Sequence, residues 1–378
     1  MTDNIAFIDL AAQQKHLKAD IDEAIATVLA HGKYIMGPEV AQFEQEAAAF
    51  CGAKHGIGCA NGTDALQLAL MALNVGPGDA VFVPSFTFAS TAEVVPSLGA
   101  TPFFVDCQDD TFNIDPENLK VAIADAKAAG LNPAVVIPVD LFGLPADYDA
   151  IEAISAENGM KIICDSAQGF GATYKGRITG SIGDLTTTSF FPAKPLGCYG
   201  DGGAIFTNDD DLAAMIRSLR VHGKGTDKYD NVRIGMNSRL DTLQAAILRP
   251  KLAAYAEEIE ARNRIASRYN SGLAGLKLTT PHTPNECRSV WAQYTVKLED
   301  GLTQADMQAA LKEKGVPSVV YYPLPLHQQT AYADCPSVST GLPNSESLSK
   351  RVLSLPMHPY MDEATQDRVI EAVRSAAA

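Results

Sequence analysis

The sequence predicts an α/β fold, in which a mostly parallel β-sheet is covered by helices and is followed by a smaller α+β domain. Strand-like apolar runs alternate with helical stretches from about Lys54 to Thr207, a pattern typical of a parallel sheet. Beyond a long helical stretch, strands and helices are mixed in a shorter C-terminal region. The 378 residues are enough for two domains, which we place at residues 1–250 and 251–378.

The elements of the first domain follow from hydrophobic runs and their spacing. Apolar, β-rich runs predict strands at Ala80–Pro84, Thr101–Val105, Ala134–Val139, Lys161–Cys164, Thr186–Phe191 and Ala204–Thr207. Helical stretches lie between and after them, at Ala65–Leu73, Ala150–Glu157 and Leu212–Arg220. The last two strands flank a turn rich in proline and glycine, so they predict a hairpin-like unit.

A long helix from Leu240 to about Tyr269 leads into the second domain. There the sequence predicts strands at Ala292–Leu298 and Pro317–Tyr322, and helices at Thr303–Lys314 and Glu363–Ala376. This mixture indicates a small α+β domain.

Composition excludes several classes of function. A net charge of −15 and a pI near 4.9 argue against a nucleic-acid binder, whose affinity depends on basic surface. No apolar run has the length of a membrane span, and the first ten residues lack the features of a signal peptide. Seven cysteines without a C-x-x-C pair favour free thiols and a cytoplasmic location. We expect no metal, because no metal-binding motif is present.

A lysine in a turn is the leading candidate for a catalytic residue. Lys194 follows the run Thr186–Phe191 in a Pro-flanked turn, and a glycine-rich stretch comes after it. A lysine among apolar residues can lose solvation, which lowers the pKa of its ammonium. The neutral amine can then attack an aldehyde and form a Schiff base. Most lysines are solvated surface residues, which is the alternative here.

A carboxylate occupies the end of a predicted buried strand. Asp165 follows the run Lys161–Cys164 and precedes a Gly-rich loop, a position where α/β proteins often contact ligands. Pyridoxal phosphate (PLP) needs an anion at its pyridine nitrogen, which keeps the nitrogen protonated and makes the ring an electron sink. A helix cap or a loop carboxylate is the alternative, and for this segment alone it is the commoner case.

A loop that enters a helix provides a candidate phosphate site. Helical spacing of apolar residues behind Gly62, Thr63 and Asp64 predicts a helix whose N-cap is Thr63 or Asp64. Free amides and the helix dipole at such an N-terminus bind phosphate. An ordinary capped helix is the alternative.

These segments occur together with other motifs that run over nearly the whole chain. The motifs are Gly32-Lys-Tyr-Ile-Met-Gly-Pro38, Asn61-Gly-Thr-Asp64, Pro84-Ser-Phe-Thr-Phe88, Cys164-Asp-Ser-Ala-Gln168, Ser189-Phe-Phe-Pro-Ala-Lys194, Gly235-Met-Asn-Ser-Arg-Leu-Asp241 and Leu355-Pro-Met-His-Pro359. In them the chain resembles the DegT/DnrJ/EryC1/StrS family of PLP-dependent sugar aminotransferases. The resemblance implies the fold-type-I (aspartate aminotransferase-like) fold, PLP as cofactor, Lys194 as its Schiff-base lysine and Asp165 as the partner of its pyridine nitrogen.

The resemblance also implies roles for four other residues. Phe88 would stack on the cofactor ring, although a core phenylalanine is the alternative. Gln168 would lie near the phenolic oxygen of the cofactor, and Ser189 would bind its phosphate. Asn237 matches a position that reaches the phosphate from the other subunit, which implies a homodimer with shared active sites.

Two segments are candidates for substrate binding. Residues 217–239 contain six basic and two acidic residues, a local charge of +4 that could bind the pyrophosphate of a nucleotide sugar. Arg239 is the preferred member, because it lies in a family motif, and a solvated loop is the alternative. Tyr321, Tyr322 and His327 could form a wall of the pocket, or could only pack within the small domain.

The function implied by the resemblance is transfer of an amino group from an amino acid, with glutamate as the expected donor, to a nucleotide-linked keto sugar. The motifs around Lys194 and Asn237 are most similar to those of enzymes that aminate C3 of a UDP-2-acetamido-3-keto-uronate for surface polysaccharides. A 4-keto-6-deoxy sugar nucleotide is the alternative substrate. A PLP-dependent sugar dehydratase, a branch that lacks the lysine, and a non-enzymatic PLP-sensing protein are further alternatives.

Overall fold

The computed structural model describes residues 5–227 and 229–377. Its helices are α1 (Leu10–His16), α2 (Lys18–His31), α3 (Pro38–Cys51), α4 (Gly62–Ala72), α5 (Ser90–Glu93), α6 (Pro116–Ala128), α7 (Tyr148–Asn158), α8 (Asp210–Leu219), α9 (Thr242–Gly272), α10 (Gln304–Glu313), α11 (Pro343–Arg351) and α12 (Glu363–Ala376). Its strands are β1 (His55–Cys59), β2 (Asp79–Pro84), β3 (Thr101–Val105), β4 (Asn132–Val136), β5 (Lys161–Asp165), β6 (Thr173–Tyr174), β7 (Arg177–Ile178), β8 (Leu185–Ser189), β9 (Gly203–Thr207), β10 (Leu278–Thr279), β11 (Cys287–Arg288), β12 (Tyr294–Leu298) and β13 (Val352–Leu355).

A seven-stranded sheet of order β1-β9-β8-β5-β4-β2-β3 forms the centre of the larger part of the molecule. The four pairs from β3 to β8 are parallel, and β9 is antiparallel to both of its neighbours, β8 and β1. The α/β fold with a mostly parallel sheet is therefore confirmed. Strands of such a sheet are buried on both faces, which explains why β3 and β9 are nearly unbroken apolar runs in the sequence.

The predicted hairpin-like unit is confirmed. Strands β8 and β9 pair in antiparallel register from Thr186 with Phe206 to Ser189 with Gly203. The connection between them carries Lys194. Because β8 also pairs with β5 in parallel, the hairpin places this turn at the edge of the sheet where β5 ends at Asp165.

The long helix α9 begins two residues later than predicted and extends to Gly272. It contains Pro250 and packs its buried face, including Tyr255 and Ile259, into a core that also contains Phe43 and Phe170. The predicted division at residue 250 lies inside this helix, and the division stays a prediction.

A second, antiparallel sheet of order β10-β12-β13 has its own hydrophobic core. Tyr269 from α9, Tyr294 from β12 and Val369 from α12 are buried there, and Ile5 from the other end of the chain joins them. The predicted helix Glu363–Ala376 has the same bounds as α12, whose first turn is capped by the Asp362 side chain.

The strand predicted at Pro317–Tyr322 is wrong. Only Val319 pairs, through two backbone hydrogen bonds with Ser354 of β13. The aromatic residues that follow turn away from the sheet and join another cluster, in which Tyr321 and Tyr322 pack near Phe86. Their high β propensity therefore gave a false signal.

Helices long and apolar enough to cross a membrane are absent from the described part of the chain.

Candidate active site

Asp165 is the last residue of β5, in the middle of the large sheet, and its side chain is buried. One carboxylate oxygen accepts a hydrogen bond from the Thr91 hydroxyl at 2.9 Å, and the other accepts from the backbone N–H of Ala167 at 3.1 Å. Burial raises the pKa of the carboxyl group, while the two hydrogen bonds and the charge of Lys194 lower it. The arrangement holds a carboxylate that a buried cation would stabilise.

Lys194 lies on the turn that follows β8, where its backbone N–H donates to the carbonyl of Phe191 at 2.8 Å. Its side chain is half-buried, and no other described residue makes a hydrogen bond or ion pair with its Nζ. Burial lowers the pKa of the ammonium, and the opposing effect of Asp165 is smaller. The turn therefore presents an amine that becomes neutral more easily than an ordinary lysine.

Helix α9 holds the rest of this turn through two side chains that the sequence did not single out. Lys251 is buried, donates from Nζ to the carbonyl of Gly197 at 2.7 Å, and lies 4.2 Å from the centre of the Tyr199 ring. Gln244 accepts a hydrogen bond from the backbone N–H of Tyr199 at 2.8 Å. Burial lowers the pKa of Lys251 to about 8, but its hydrogen bond to Gly197 shows a role in holding the turn.

The candidate phosphate loop is capped by a residue other than those predicted. Asn61 is the N-cap of α4 and accepts from the backbone N–H of Asp64 at 2.8 Å, so the predicted caps Thr63 and Asp64 are wrong. Because an asparagine cap leaves the first amides of the helix free, the backbone N–H groups of Gly62 and Thr63 find no acceptor among the described residues. These two amides are available to an anion.

Gly62 and Ser189 lie against each other. A Cβ added to Gly62 would be 2.7 Å from the Cβ of Ser189, so glycine is needed for this close approach. The contact brings the N-terminus of α4 next to the end of β8, and it places the Ser189 hydroxyl beside the free amides. The sequence predicted both groups for one phosphate, and the fold brings them together.

Two other predicted residues, Gln168 and Phe88, meet around Tyr322. Its hydroxyl accepts a hydrogen bond from the Gln168 amide at 3.0 Å, and its ring centre is 6.4 Å from that of Phe88. Phe88 is 56% exposed, which is unusual for a phenylalanine and excludes the alternative of a core residue. Its exposed ring can stack on a planar ligand.

His327 is held on both sides of its ring. Nδ1 lies 2.7 Å from the Ser85 hydroxyl, and Nε2 lies 3.3 Å from a carboxylate oxygen of Glu346. The backbone N–H of His327 also donates to the Ser85 oxygen at 3.3 Å. The ring therefore joins the Pro84–Phe88 segment to α11, and both of its nitrogens are already engaged.

Asn237 and Arg239 flank a residue that contacts the phosphate loop. The Ser238 hydroxyl accepts from the backbone N–H of Ala60 at 3.2 Å. Asn237 is exposed and Arg239 is half-exposed, and the guanidinium of Arg239 makes no hydrogen bond or ion pair with another described residue. Both side chains are thus accessible, and neither forms a hydrogen bond or ion pair with the other predicted site members among the described residues.

The basic segment is not uniform. Arg220 is buried, pairs with Glu44 and donates to the carbonyl of Gly58 at 2.6 Å, so it stabilises the fold rather than forming part of an open basic surface. Lys228 lies outside the described residues. The available charge is therefore smaller than the +4 of the sequence.

Thr91 and Asn61 are site residues that the sequence reasoning missed. The Thr91 hydroxyl donates a hydrogen bond to Asp165. Asn61 caps helix α4 at Asp64 and leaves the backbone N–H groups of Gly62 and Thr63 available. Asn61 could have been found, because asparagine is among the preferred N-caps. Thr91 lies 74 residues before its partner, and no local pattern shows that contact.

The residues brought together fit PLP. Lys194 offers an amine that is unpaired among the described residues, and it could react with an aldehyde. Asp165 offers a buried carboxylate for a pyridinium, and Gly62, Thr63 and Ser189 offer donors for a phosphate. No group of histidine, cysteine, aspartate and glutamate side chains in the described ranges converges in a way that would hold a metal ion.

Comparison with known proteins gives a match over nearly the whole chain. The model of the DegT/DnrJ/EryC1/StrS aminotransferase family matches residues 15–374. A relative from Pseudomonas aeruginosa, UDP-2-acetamido-2-deoxy-3-oxo-D-glucuronate aminotransferase, is 50% identical over 361 residues, which cover 96% of this chain and 97% of that protein.

Two solved structures illustrate the similarity of fold. A DegT DnrJ EryC1 StrS aminotransferase from Brucella abortus is 52% identical with a TM-score of 0.97, and the match covers 99% of this chain and 100% of that one. The Bacillus subtilis protein NtdA, solved with its cofactor PMP bound, is 30% identical with a TM-score of 0.89. The match covers 100% of this chain and 86% of the NtdA chain.

Proposed function

The chain belongs to the DegT/DnrJ/EryC1/StrS aminotransferase family, and we propose that it transfers an amino group from glutamate to C3 of a UDP-linked 2-acetamido-3-keto-uronate. It is a PLP-dependent aminotransferase that acts on a nucleotide-linked keto sugar. The nucleotide, the sugar, the position and the donor are the proposed details, and so is a role in surface polysaccharide synthesis. They are supported by the 50% identity to a 3-oxo-glucuronate enzyme over nearly the whole of both chains.

The observation that carries the proposed chemistry is the half-buried amine of Lys194, unpaired within the described chain and under the electrostatic influence of Asp165. When bound, PLP supplies a ring that withdraws electrons from the carbon atom next to the reacting nitrogen. Lys194 is the proposed covalent anchor of the cofactor. Once free, its neutral Nζ can take a proton from the α-carbon of the donor and return one at the acceptor, as a general base and acid.

Asp165 is the proposed partner of the pyridine nitrogen. Its carboxylate is buried and held by Thr91 and the backbone of Ala167, so it keeps its position without the ligand. A buried negative charge favours a protonated nitrogen beside it. Gln168 is proposed to lie at the phenolic oxygen, and Phe88 to cover one face of the ring.

The phosphate would be held by the free amides of Gly62 and Thr63 and by the Ser189 hydroxyl. Asn237 of a second copy is proposed to complete this site. Exposed large apolar side chains in or beside the family motifs support a homodimer, because exposed apolar surface often contacts a partner. They are Tyr34, Ile35, Met36, Phe88, Phe191, Tyr229, Val232 and Ile234.

Arg239 is proposed to bind an anionic group of the sugar nucleotide, since its half-exposed guanidinium is unpaired among the described residues. Tyr322 and His327 are proposed to line the sugar pocket. We also infer a cytoplasmic location, which is supported by seven unpaired cysteines.

A direct assay tests the function. The purified protein with PLP and glutamate is offered a UDP-2-acetamido-3-keto-uronate and, separately, a dTDP-4-keto-6-deoxy sugar, and products are identified by mass spectrometry. We expect an amino sugar and 2-oxoglutarate from the first substrate only. If only the second substrate gives a product, the aminotransferase activity is supported and the uronate substrate is wrong. Sugar dehydration without amino transfer would overturn the proposal.

A further inference from the structure

A buried carboxyl group contacts the segment from Asp165 to Gly169, and the proposed chemistry does not use it. Asp140 is completely buried, with 0% of its surface exposed. It follows β4 in the chain, and its backbone N–H donates to the carbonyl of Asp165 at 3.0 Å. The two acidic residues therefore lie on neighbouring segments at the same edge of the sheet.

Both carboxyl oxygens of Asp140 accept hydrogen bonds. Oδ1 accepts from the Tyr148 hydroxyl at 2.5 Å and from the backbone N–H of Ala146 at 3.2 Å. Oδ2 accepts from the hydroxyl of Ser166, the residue that directly follows Asp165. Three donors hold the carboxyl group in one position, because breaking any of these bonds would leave a buried polar group unsatisfied.

The loop after Asp165 also closes over Asp140. A Cβ added to Gly169 would be 2.2 Å from the Cβ of Asp140, so only glycine permits this approach. Gln168 lies between the two contact points at Ser166 and Gly169. Its Oε1 accepts from the backbone N–H of Phe142 at 2.7 Å, two residues after Asp140.

We propose that Asp140 is a positioning residue that fixes the segment from Asp165 to Gln168 for the bound cofactor. The inference rests on the proposed roles of those two residues. Asp140 touches neither cofactor nor substrate in this scheme. It acts through the Ser166 hydroxyl, through the backbone on either side of Gln168, and through its own charge beside Asp165.

The charge of Asp140 distinguishes this role from simple packing. Burial raises the pKa of the carboxyl group to about 7, and the hydrogen bonds that it accepts limit the rise. The titratable groups that face it are Tyr148, Cys164, Asp165 and Cys287. Above that pH a second negative charge appears beside Asp165, and it favours a protonated ring nitrogen on the ligand. We therefore expect the charge of Asp140 to increase the affinity for PLP at high pH and to have no effect at low pH.

The experiment measures the dissociation constant of PLP by equilibrium dialysis for the full-length chain, from about pH 6 to about pH 8.5, across the range in which this group titrates. In Asp140→Asn the side-chain oxygen can still accept from Tyr148 and Ala146, and the side-chain NH2 can donate to the Ser166 hydroxyl, but the negative charge is removed. Asp140→Ala removes all three bonds, and Ser166→Ala removes one. Asp149→Asn removes the charge of an exposed carboxylate nearby and is the matched control.

We expect Asp140→Ala to weaken PLP by about tenfold or more at every pH, and Ser166→Ala to weaken it by about threefold to tenfold. Asp140→Asn should bind like the wild type near pH 6 and be weaker by about threefold near pH 8.5. Asp149→Asn should match the wild type throughout. Circular dichroism checks that each variant is folded, and if Asp140→Ala is not, Ser166→Ala decides.

Wild-type affinity in Asp140→Ala, or in Ser166→Ala where that variant decides, would overturn the inference. So would an Asp140→Asn affinity that keeps a constant ratio to the wild type across the pH range. A wild-type chain that binds no PLP would be a different result, because it would overturn the proposed function and this inference together.

Discussion

At the position of Lys194, burial and charge act in opposite directions. Loss of solvation lowers the pKa of the ammonium, and Asp165 raises it by a smaller amount. Asp165 shows the complementary behaviour, since burial raises its pKa and Lys194 lowers it. A ligand that reacts with the Lys194 amine and places a cation beside the Asp165 carboxylate would reduce the free-energy cost of burying both groups.

The first prediction concerns the identity of the covalent lysine. Borohydride reduction of the PLP-loaded protein, followed by peptide mapping, should place the pyridoxyl group on Lys194, because its amine is unpaired among the described residues. Lys251 is the internal control: its pKa is also lowered, to about 8, but its Nζ is bonded to Gly197. A label on Lys251, or on an exposed lysine such as Lys175, would contradict the assignment.

The second prediction separates chemistry from folding at Asp165. Asp165→Asn should leave a folded protein that binds PLP, but kcat should fall by about a hundredfold or more because the pyridine nitrogen loses its counter-charge. Steady-state kinetics and the content of bound cofactor check this. Thr91→Ala, which removes one hydrogen bond and leaves the charge, should have a smaller effect on kcat. Near-normal turnover of Asp165→Asn would remove this residue from the role.

The third prediction concerns Arg239. Arg239→Lys should raise KM for the sugar nucleotide by about tenfold, because a lysine cannot form the bidentate contact of a guanidinium. The glutamate half-reaction, followed alone by absorbance, should be unchanged. Equal loss in both half-reactions would mean that Arg239 does not act on the sugar nucleotide.

At the scale of single elements, the N-terminus of α4 combines two tasks. The Asn61 side chain caps Asp64, and the preceding amides of Gly62 and Thr63 stay free for an anion. The turn after β8 is similar. Gln244 and Lys251 of α9 hold its backbone, while the Lys194 side chain has no hydrogen-bond or ion-pair partner in the described part of the chain. In both elements the anchoring contacts are separate from the groups that would bind the cofactor.

The fourth prediction uses this separation. Asn61→Ala should lower the free energy of unfolding by about 1 kcal/mol, the usual effect of losing a cap. Asn61→Asp should keep the cap and the stability, because aspartate caps as well as asparagine, but its charge should weaken phosphate binding. Calorimetry of the cofactor-free chain and the dissociation constant of PLP are the two measurements. Unchanged PLP affinity in Asn61→Asp would argue against phosphate at this helix.

At the scale of the whole molecule, we propose that a second copy covers the exposed apolar residues in and beside the family motifs. Ile234 is 89% exposed and Tyr229 is 84% exposed, on the segment that also carries Asn237 and Arg239. Exposure of this kind is costly in water, and burial at an interface would remove the cost. The same segment is therefore proposed to reach the site of the partner.

The fifth prediction tests shared sites. Lys194→Ala and Asn237→Ala chains are purified separately, mixed, and allowed to exchange subunits. Each mixed dimer would contain one intact site. The activity of the mixture should therefore exceed that of either parent by about a quarter of the wild-type activity. Native mass spectrometry confirms the exchange. No recovery despite proven exchange would count against shared sites.

The sequence alone was sufficient for the α/β class, for the hairpin β8–β9 and for the helix Glu363–Ala376, because these depend on hydrophobic period and on local turn chemistry. It failed at Pro317–Tyr322, where aromatic residues with high β propensity pack in a side-chain cluster instead. The predicted roles of Lys194 and Asp165 came from their motifs and from the resemblance to a family.

Only the tertiary structure decided which polar groups of the site are used in contacts within the fold and which remain available to a ligand. The contacts that hold Asp165, the approach of Gly62 to Ser189, and the burial of Asp140 join residues that are far apart in the chain or depend on packing. The sequence determined what each residue can do, since that is a property of its side chain. Burial and neighbours determine pKa and availability, and these exist only once the sheet has brought the ends of its strands to one edge.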